Sequence, residues 1–284
     1  MATSVFHPMC SHSLCEPSDS AWGTSEWLGI VHDGSQTVSD PRTREDLSRF
    51  LVHLTRDYED DAEDHLLDIL KDKTIEARNA HCLFSPLIKS AKFSPVLKKE
   101  FNTVCFTETP LPQVSSLLID LPGRNVKLKP CGLVFWRTEL VARGANPAVY
   151  INAKGSDNNL RRYLLEQFKE HFRDIKTLKR FKSQQTFFRE LIHYYSLITL
   201  ISTNHNFAWE REWRFRGDFT FKYKDVVAVI AEQPKSFMKR CEKELGSGAR
   251  GYIRRIPCIS PYWSYEEILE EMSVLLWQRR GNDS

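Results

Sequence analysis

Interleaved β-like runs and helical stretches, without a regular strand–helix–strand series, predict an α+β domain built on a mixed sheet. Three observations carry this reading. Apolar runs of strand length recur along the chain, the clearest being Val226-Val227-Ala228-Val229-Ile230. Between them lie stretches whose apolar residues return at helical spacing. Residues 207–216 alternate strictly, as a half-buried strand does.

The elements follow in order. Residues 1–45 are rich in Ser, Thr, His and Pro and read as a variable, partly disordered extension; residues 46–284 form the domain proper. Within the extension, His7, Cys10, His12 and Cys15 crowd into nine positions. Structural zinc sites draw on two separated ligand pairs, so no metal is expected. Residues 50–55 form a first strand, and 60–71 an amphipathic helix with Leu66, Leu67 and Leu70 on its apolar side. Further strands are expected at 102–107, 132–136 and 148–152, then helices at 160–179 and 186–201. The alternating strand 207–216 follows, then a strand at 225–231 and a helix at 234–245, stopped by Gly246-Ser247-Gly248. A strand at 252–259 and a helix at 265–278 close the chain.

With 41% hydrophobic and 27% charged residues, the composition is globular rather than disordered. A formal net charge of +3 is too small to imply nucleic acid by itself. No run of about 18 apolar residues offers a membrane span, and the N-terminus lacks the basic start and apolar core of a signal peptide. Seven scattered Cys, several in apolar runs, suit reduced thiols in the cytoplasm. Between Lys154 and Arg189, ten basic residues stand against four acidic ones, with Phe181, Phe187 and Phe188 among them. That stretch reads either as a solvated helix face or as a surface for single-stranded nucleic acid.

In the alternating strand, Phe207, Trp209, Arg211, Trp213 and Phe215 share one face, and Glu210, Glu212, Arg214 and Arg216 the other. The two carboxylates would then sit roughly 7 Å apart. Positioned carboxylates on a rigid strand are what a sugar-transfer site needs, because they stabilise an oxocarbenium-like carbon. Four more islands hold chemistry: His53-Leu54-Thr55-Arg56, residues 76–81 ending in His81, residues 104–111, and residues 144–152.

The order His53-x-Thr55, Leu66-x-x-Ile69-Leu70 and Ile75-x-Ala77-Arg78 resembles the opening of ADP-ribosyltransferase folds, DarT-type DNA-modifying toxins included. Val104-Cys105-Phe106-Thr107-Glu108-Thr109-Pro110-Leu111, Gly132-Leu133-Val134-Phe135, Asn146-Pro147-Ala148-Val149-Tyr150-Ile151 and Glu210-Arg211-Glu212-Trp213-Arg214 look like the AbiGi family of abortive phage-resistance proteins. The resemblance spans about residues 50–216 and leaves out the extension and the last helix.

It implies an ADP-ribosyltransferase-like split β-sheet with flanking helices, and NAD as substrate. On that resemblance His53 contacts the adenosine-side ribose, with Thr55 on the same strand face. Thr107 or Thr109 lies near the nicotinamide pocket. Glu212 stabilises the oxocarbenium, and Glu210 orients the acceptor. Arg56 and Arg78 pair with the pyrophosphate, as guanidinium forks suit phosphate oxygens. The aromatic helix from Phe187 to Tyr195 departs from the pattern and leaves the nicotinamide-stacking Tyr open among Tyr150, Tyr194 and Tyr195. The implied partners are a DNA, RNA or protein acceptor, nucleic acid being preferred, and a phage or toxin–antitoxin protein. Each residue also has a structural use: His53 as a hydrogen-bonded strand residue, the Glu pair as a charge ladder, the Thr pair as turn caps, and Arg78 as a helix-end cap. A catalytically inactive scaffold, or an enzyme that hydrolyses NAD, are the alternatives.

Overall fold

A computed structural model describes residues 47–57, 61–120, 127–152, 159–177, 179–180, 186–201 and 208–280. The His7–Cys15 cluster, Phe181, Phe207 and the side chains of Phe187 and Phe188 lie outside them.

The chain opens with strand β1 (Phe50–Leu54), helix α1 (Ala62–Asp72) and a two-residue strand β2 (Thr74–Ile75). Asp61 caps α1 by accepting from the Glu63 N–H at 2.8 Å. Lys73 ends it in the left-handed conformation, φ 51°. Short helices α2 (Ser85–Ser90) and α3 (Pro95–Lys99) lead into β3 (Thr103–Thr107). Next come β4 (Gly132–Trp136), α4 (Arg137–Ala142), β5 (Asn146–Pro147), β6 (Val149–Asn152) and α5 (Asn159–His171). Helix α6 (Thr186–Leu197) runs straight into β7 (Ile198–Ile201). The remainder is β8 (Glu212–Arg216), β9 (Phe219–Thr220), β10 (Val226–Ile230), α7 (Pro234–Glu244), α8 (Ser247–Ile253), β11 (Cys258–Ile259) and α9 (Tyr265–Arg280). Among the described residues, no helix is long and apolar enough to cross a membrane.

Seven strands form one mixed sheet in the order β11-β10-β4-β1-β3-β8-β5, antiparallel except for the β10–β11 pair. Strand β10 is buried along its whole length, which explains its unbroken apolar sequence. One face of the sheet holds Leu51, Leu66, Leu70, Phe106, Phe135 and Phe219; the other holds Val52, Leu54, Val134, Ala228 and Ile230. A third cluster, with Phe84, Phe101, Phe168 and Phe172, ties α2, α3, α5 and α6 together.

The sheet is weakest in its middle. Strands β1 and β3 meet through one pair, Val52↔Thr107. Past it a side chain takes over the bonding: the Nδ1 of His53 lies 2.9 Å from the carbonyl oxygen of Cys105. On its other side β1 is paired in full with β4. There Gly132 stands opposite Leu54, and a Cβ on it would collide with the His53 carbonyl. Gly132→Ala is therefore expected to cost about 1–3 kcal/mol, as overpacked sites do, in a urea titration. An unchanged midpoint would show that β1 has room to shift.

Four expectations are corrected. Residues 252–259 are not one strand, because α8 occupies the first part and β11 keeps two residues. The helix expected to end at Ile201 stops at Leu197, where the β-branched run Ile198-Thr199-Leu200-Ile201 turns to strand. The helix expected over 160–179 stops at His171, and strand β6 pairs in parallel with β7. The alternating strand begins at Glu212, not at residue 207, since Ala208–Glu210 form a 3₁₀ turn and Arg211 adopts φ 47°.

Candidate functional site

A cleft of about 1160 Å³ opens where β1 and β3 part, walled by the ends of β1, α1, β2, the segment before α2, β3 and β8. That exceeds the range of roughly 300–1,000 Å³ usual for small-ligand pockets. His53, Thr55, Arg56, Arg78, Thr107, Glu210 and Glu212, drawn from four separate stretches of sequence, all line it. Thr109 does not. It is buried behind Thr107, and their hydroxyls lie 2.8 Å apart.

A carbonyl can only accept, so the His53 ring donates from Nδ1 to Cys105, and Nε2 of the neutral ring is an acceptor. Burial pushes the His53 pKa down against the opposing pull of that hydrogen bond, and the positive charges of Arg56 and Arg78 add to the fall. The same coupling places both guanidiniums in the electrostatic reach of His53. Arg78 also meets Glu76 at 3.3 Å, with both side chains largely exposed.

Glu212 is the most tightly held group of the site. Arg214, two residues on and 2% exposed, grips it with Nε on Oε1 at 3.0 Å and Nη2 on Oε2 at 2.8 Å. Period-two spacing puts both side chains on one face of β8. Nη1 of Arg214 donates to the Ser196 carbonyl at 2.8 Å, so α6 anchors the guanidinium in turn. Burial alone would raise the Glu212 pKa, but Arg214 overrides it and holds the carboxyl below its ordinary range. Across the strand pair, Cys105 stands opposite Arg214 and Thr107 opposite Glu212. Burial and the nearby Glu212 push the Cys105 thiol far up, so it stays protonated. On the reverse face, Trp213 and Phe215 pack on the core, and Trp213 Nε1 donates to Glu108 at 2.9 Å. Glu108 is itself paired with Arg137.

Several of these residues sit or bond otherwise than the strand pattern implied. Glu210 does not share a strand face with Glu212; it reaches the cleft from the 3₁₀ turn before β8. The Thr107 hydroxyl bonds the Glu210 carbonyl and accepts from the Thr109 N–H at 3.1 Å, so this Thr pair fixes the turn. The Thr55 hydroxyl shares its one proton between the carbonyls of Ala62 and Cys131, each 3.1 Å away, a structural use of the group. The expected aromatic face shrinks as well, since Trp209 is 40% exposed. Of the three Tyr candidates, Tyr150 lines the cleft, while Tyr194 is exposed and Tyr195 lies 2.6 Å from His171 in the helical cluster. Burial raises the Tyr150 pKa, and the backbone of Glu212 hydrogen-bonds it. In the basic stretch, Arg173 meets Glu170 at 3.0 Å and Lys176 donates to the Phe172 carbonyl. Among the cleft residues that the sequence reading left without a role are Arg214 and His81. Alternation had already placed Arg214 beside Glu212, and His81 had been noted only as the end of the 76–81 island, with no role given to it.

No known family model, curated protein or solved structure matches the chain.

Proposed function

We propose that this protein is a NAD-dependent ADP-ribosyltransferase acting on a macromolecular acceptor, nucleic acid before protein, in cytoplasmic bacterial phage defence. One observation carries the reading: His53 from the first strand and Glu212 from a late strand line the same cleft, with Arg56 and Arg78 beside them. A sheet joined by one residue pair at that cleft suits the split sheet of the ADP-ribosyltransferase fold. NAD fits the lining by charge. Two guanidiniums suit the pyrophosphate, the apolar and aromatic surface of Leu54, Ile69 and Tyr150 suits flat rings, and an ionised Glu212 suits the cation that forms as nicotinamide leaves. The defence context rests on the AbiGi-like motifs alone.

The grip of Arg214 on Glu212 favours a second reading, an inactive scaffold serving as antitoxin or phage-sensing module, in which the pair only braces β8. Incubating the full chain with NAD labelled in the adenylate separates the readings. Label carried onto DNA, RNA or protein is the expected result; free ADP-ribose indicates water as acceptor; intact NAD sinks the enzymatic reading.

A further inference from the structure

One side chain of the cleft is held firmly by its backbone and yet left chemically free. His81 lies in the segment between β2 and α2. Upstream, Asn79 forms a β-bridge with Thr103, whose N–H donates to the Asn79 carbonyl at 3.1 Å. Downstream, the Leu83 N–H donates to the Ile198 carbonyl at 2.8 Å, and the Cys82 N–H donates to Ser85 Oγ at 3.1 Å. The backbone is therefore tied to β3 on one side and to β7 on the other. Among the described residues nothing hydrogen-bonds the His81 ring. The rings of His53, His171 and His193 all have partners: the Cys105 carbonyl, the Tyr195 hydroxyl and the Asn146 amide. A ring on a pinned loop, exposed and lining a cleft, is available to a ligand.

Its electrostatic setting completes the case. Desolvation against the cleft wall lowers the His81 pKa from 6.5 although the residue is exposed overall, and Glu212 opposes that fall, while Arg214, Arg56 and Lys89 assist it. These four charges, from β8, the end of β1 and α2, all line the same cleft and act on the ring through their fields. His81 is consequently neutral near pH 7 and stands within the field of the half-buried Glu212 carboxylate. A neutral imidazole backed by a carboxylate is a proton acceptor whose charged form is stabilised as it appears.

We infer that His81 is the general base for the acceptor, taking its proton as it attacks the ribose carbon of NAD. This rests on the transferase reading of the same cleft. A lone pair on an O–H or N–H acceptor forms the new bond to the ribose C1′. The bond from C1′ to nicotinamide breaks, and its electron pair neutralises the pyridinium nitrogen. The acceptor's proton passes to the imidazole and then to water. The role selects the substrate class: a neutral hydroxyl, amide or amine that must lose a proton. Glu212, ionised and clamped by Arg214, keeps the task of stabilising the sugar cation, and Glu210 is relieved of activating the acceptor.

Nicotinamide release by the full chain tests this, with water and added methanol as O–H acceptors of known identity. His81→Ala is expected to lower the rate by roughly 10²-fold, the lower end of general-base contributions, with unchanged binding of NAD. The wild-type rate should fall in acid, at a pH below the ordinary histidine value of 6.5, as the ring gains its proton, and the variant should lose that acid limb. Imidazole in the buffer should restore part of the lost rate, which a merely structural role would not allow. Wild-type turnover with an intact acid limb in His81→Ala, in a protein that Glu212→Gln inactivates, overturns the inference and leaves the transferase reading standing. Absence of nicotinamide release from the wild type overturns both.

Discussion

Replacing Arg214 by Met is expected to destabilise the protein by about 3–5 kcal/mol, the cost of leaving a buried charge without its partner. The arginine is 2% exposed, and its removal strands the Glu212 carboxylate and the Ser196 carbonyl together. The pH dependence carries the sharper signature. In the wild type Arg214 holds the Glu212 pKa below that of the unfolded chain. Its contribution is complete above the unfolded value of about 4.5 and fades as pH falls through the native one. Without the guanidinium, burial alone governs and the native pKa rises above the unfolded one. The native state then binds more protons than the unfolded chain, so acid relieves the penalty. Urea titrations at pH 7 and pH 5 should show a smaller gap between variant and wild type at the lower pH. A gap that is constant, or one under 1 kcal/mol, would mean that the pair is solvated in practice.

The sequence conveyed the architecture wherever burial alone decides it. Val226–Ile230 had to be a central strand because five consecutive apolar side chains need cover on both faces, and β10 has it. Alternation likewise sorted Glu212 and Arg214 from Trp213 and Phe215. It failed at Glu210 for a definite reason. The polar–apolar rhythm runs on through Arg211, but Arg211 sits at φ 47°, a conformation that non-glycine side chains rarely adopt and that composition does not advertise. One such residue resets the register and turns a supposed pair of strand carboxylates into one on a turn and one on a strand. At α8 the error was different: the stop at Gly246-Ser247-Gly248 holds, since α7 ends at Glu244, but a new helix starts there and takes the first part of the strand expected at 252–259. His81 was noted at the end of an island but given no role, for a third reason. Its place in the cleft depends on a bridge to β3 and a bond to β7, contacts that no local pattern encodes.

The fall in NAD turnover expected of Glu212→Gln, on the order of 10²-fold or more, follows from the loss of a preorganised charge aimed at a developing cation. Taken alone, that measurement is ambiguous, because Gln also leaves the Arg214 guanidinium buried and unpaired, and a destabilised enzyme loses turnover too. The geometry supplies the control. Replacing both partners with apolar residues of similar size removes the ion pair and its desolvation penalty together, a change that is often neutral for stability. Glu212→Met combined with Arg214→Met should therefore melt closer to the wild type than Arg214→Met does, while releasing no more nicotinamide than Glu212→Gln. A folded but inactive double variant assigns the carboxylate to chemistry, since bracing β8 would by then be accomplished without it. Turnover near the wild-type rate in that variant would mean that the charge of Glu212 serves the strand and not the sugar, and the catalytic assignment would fall.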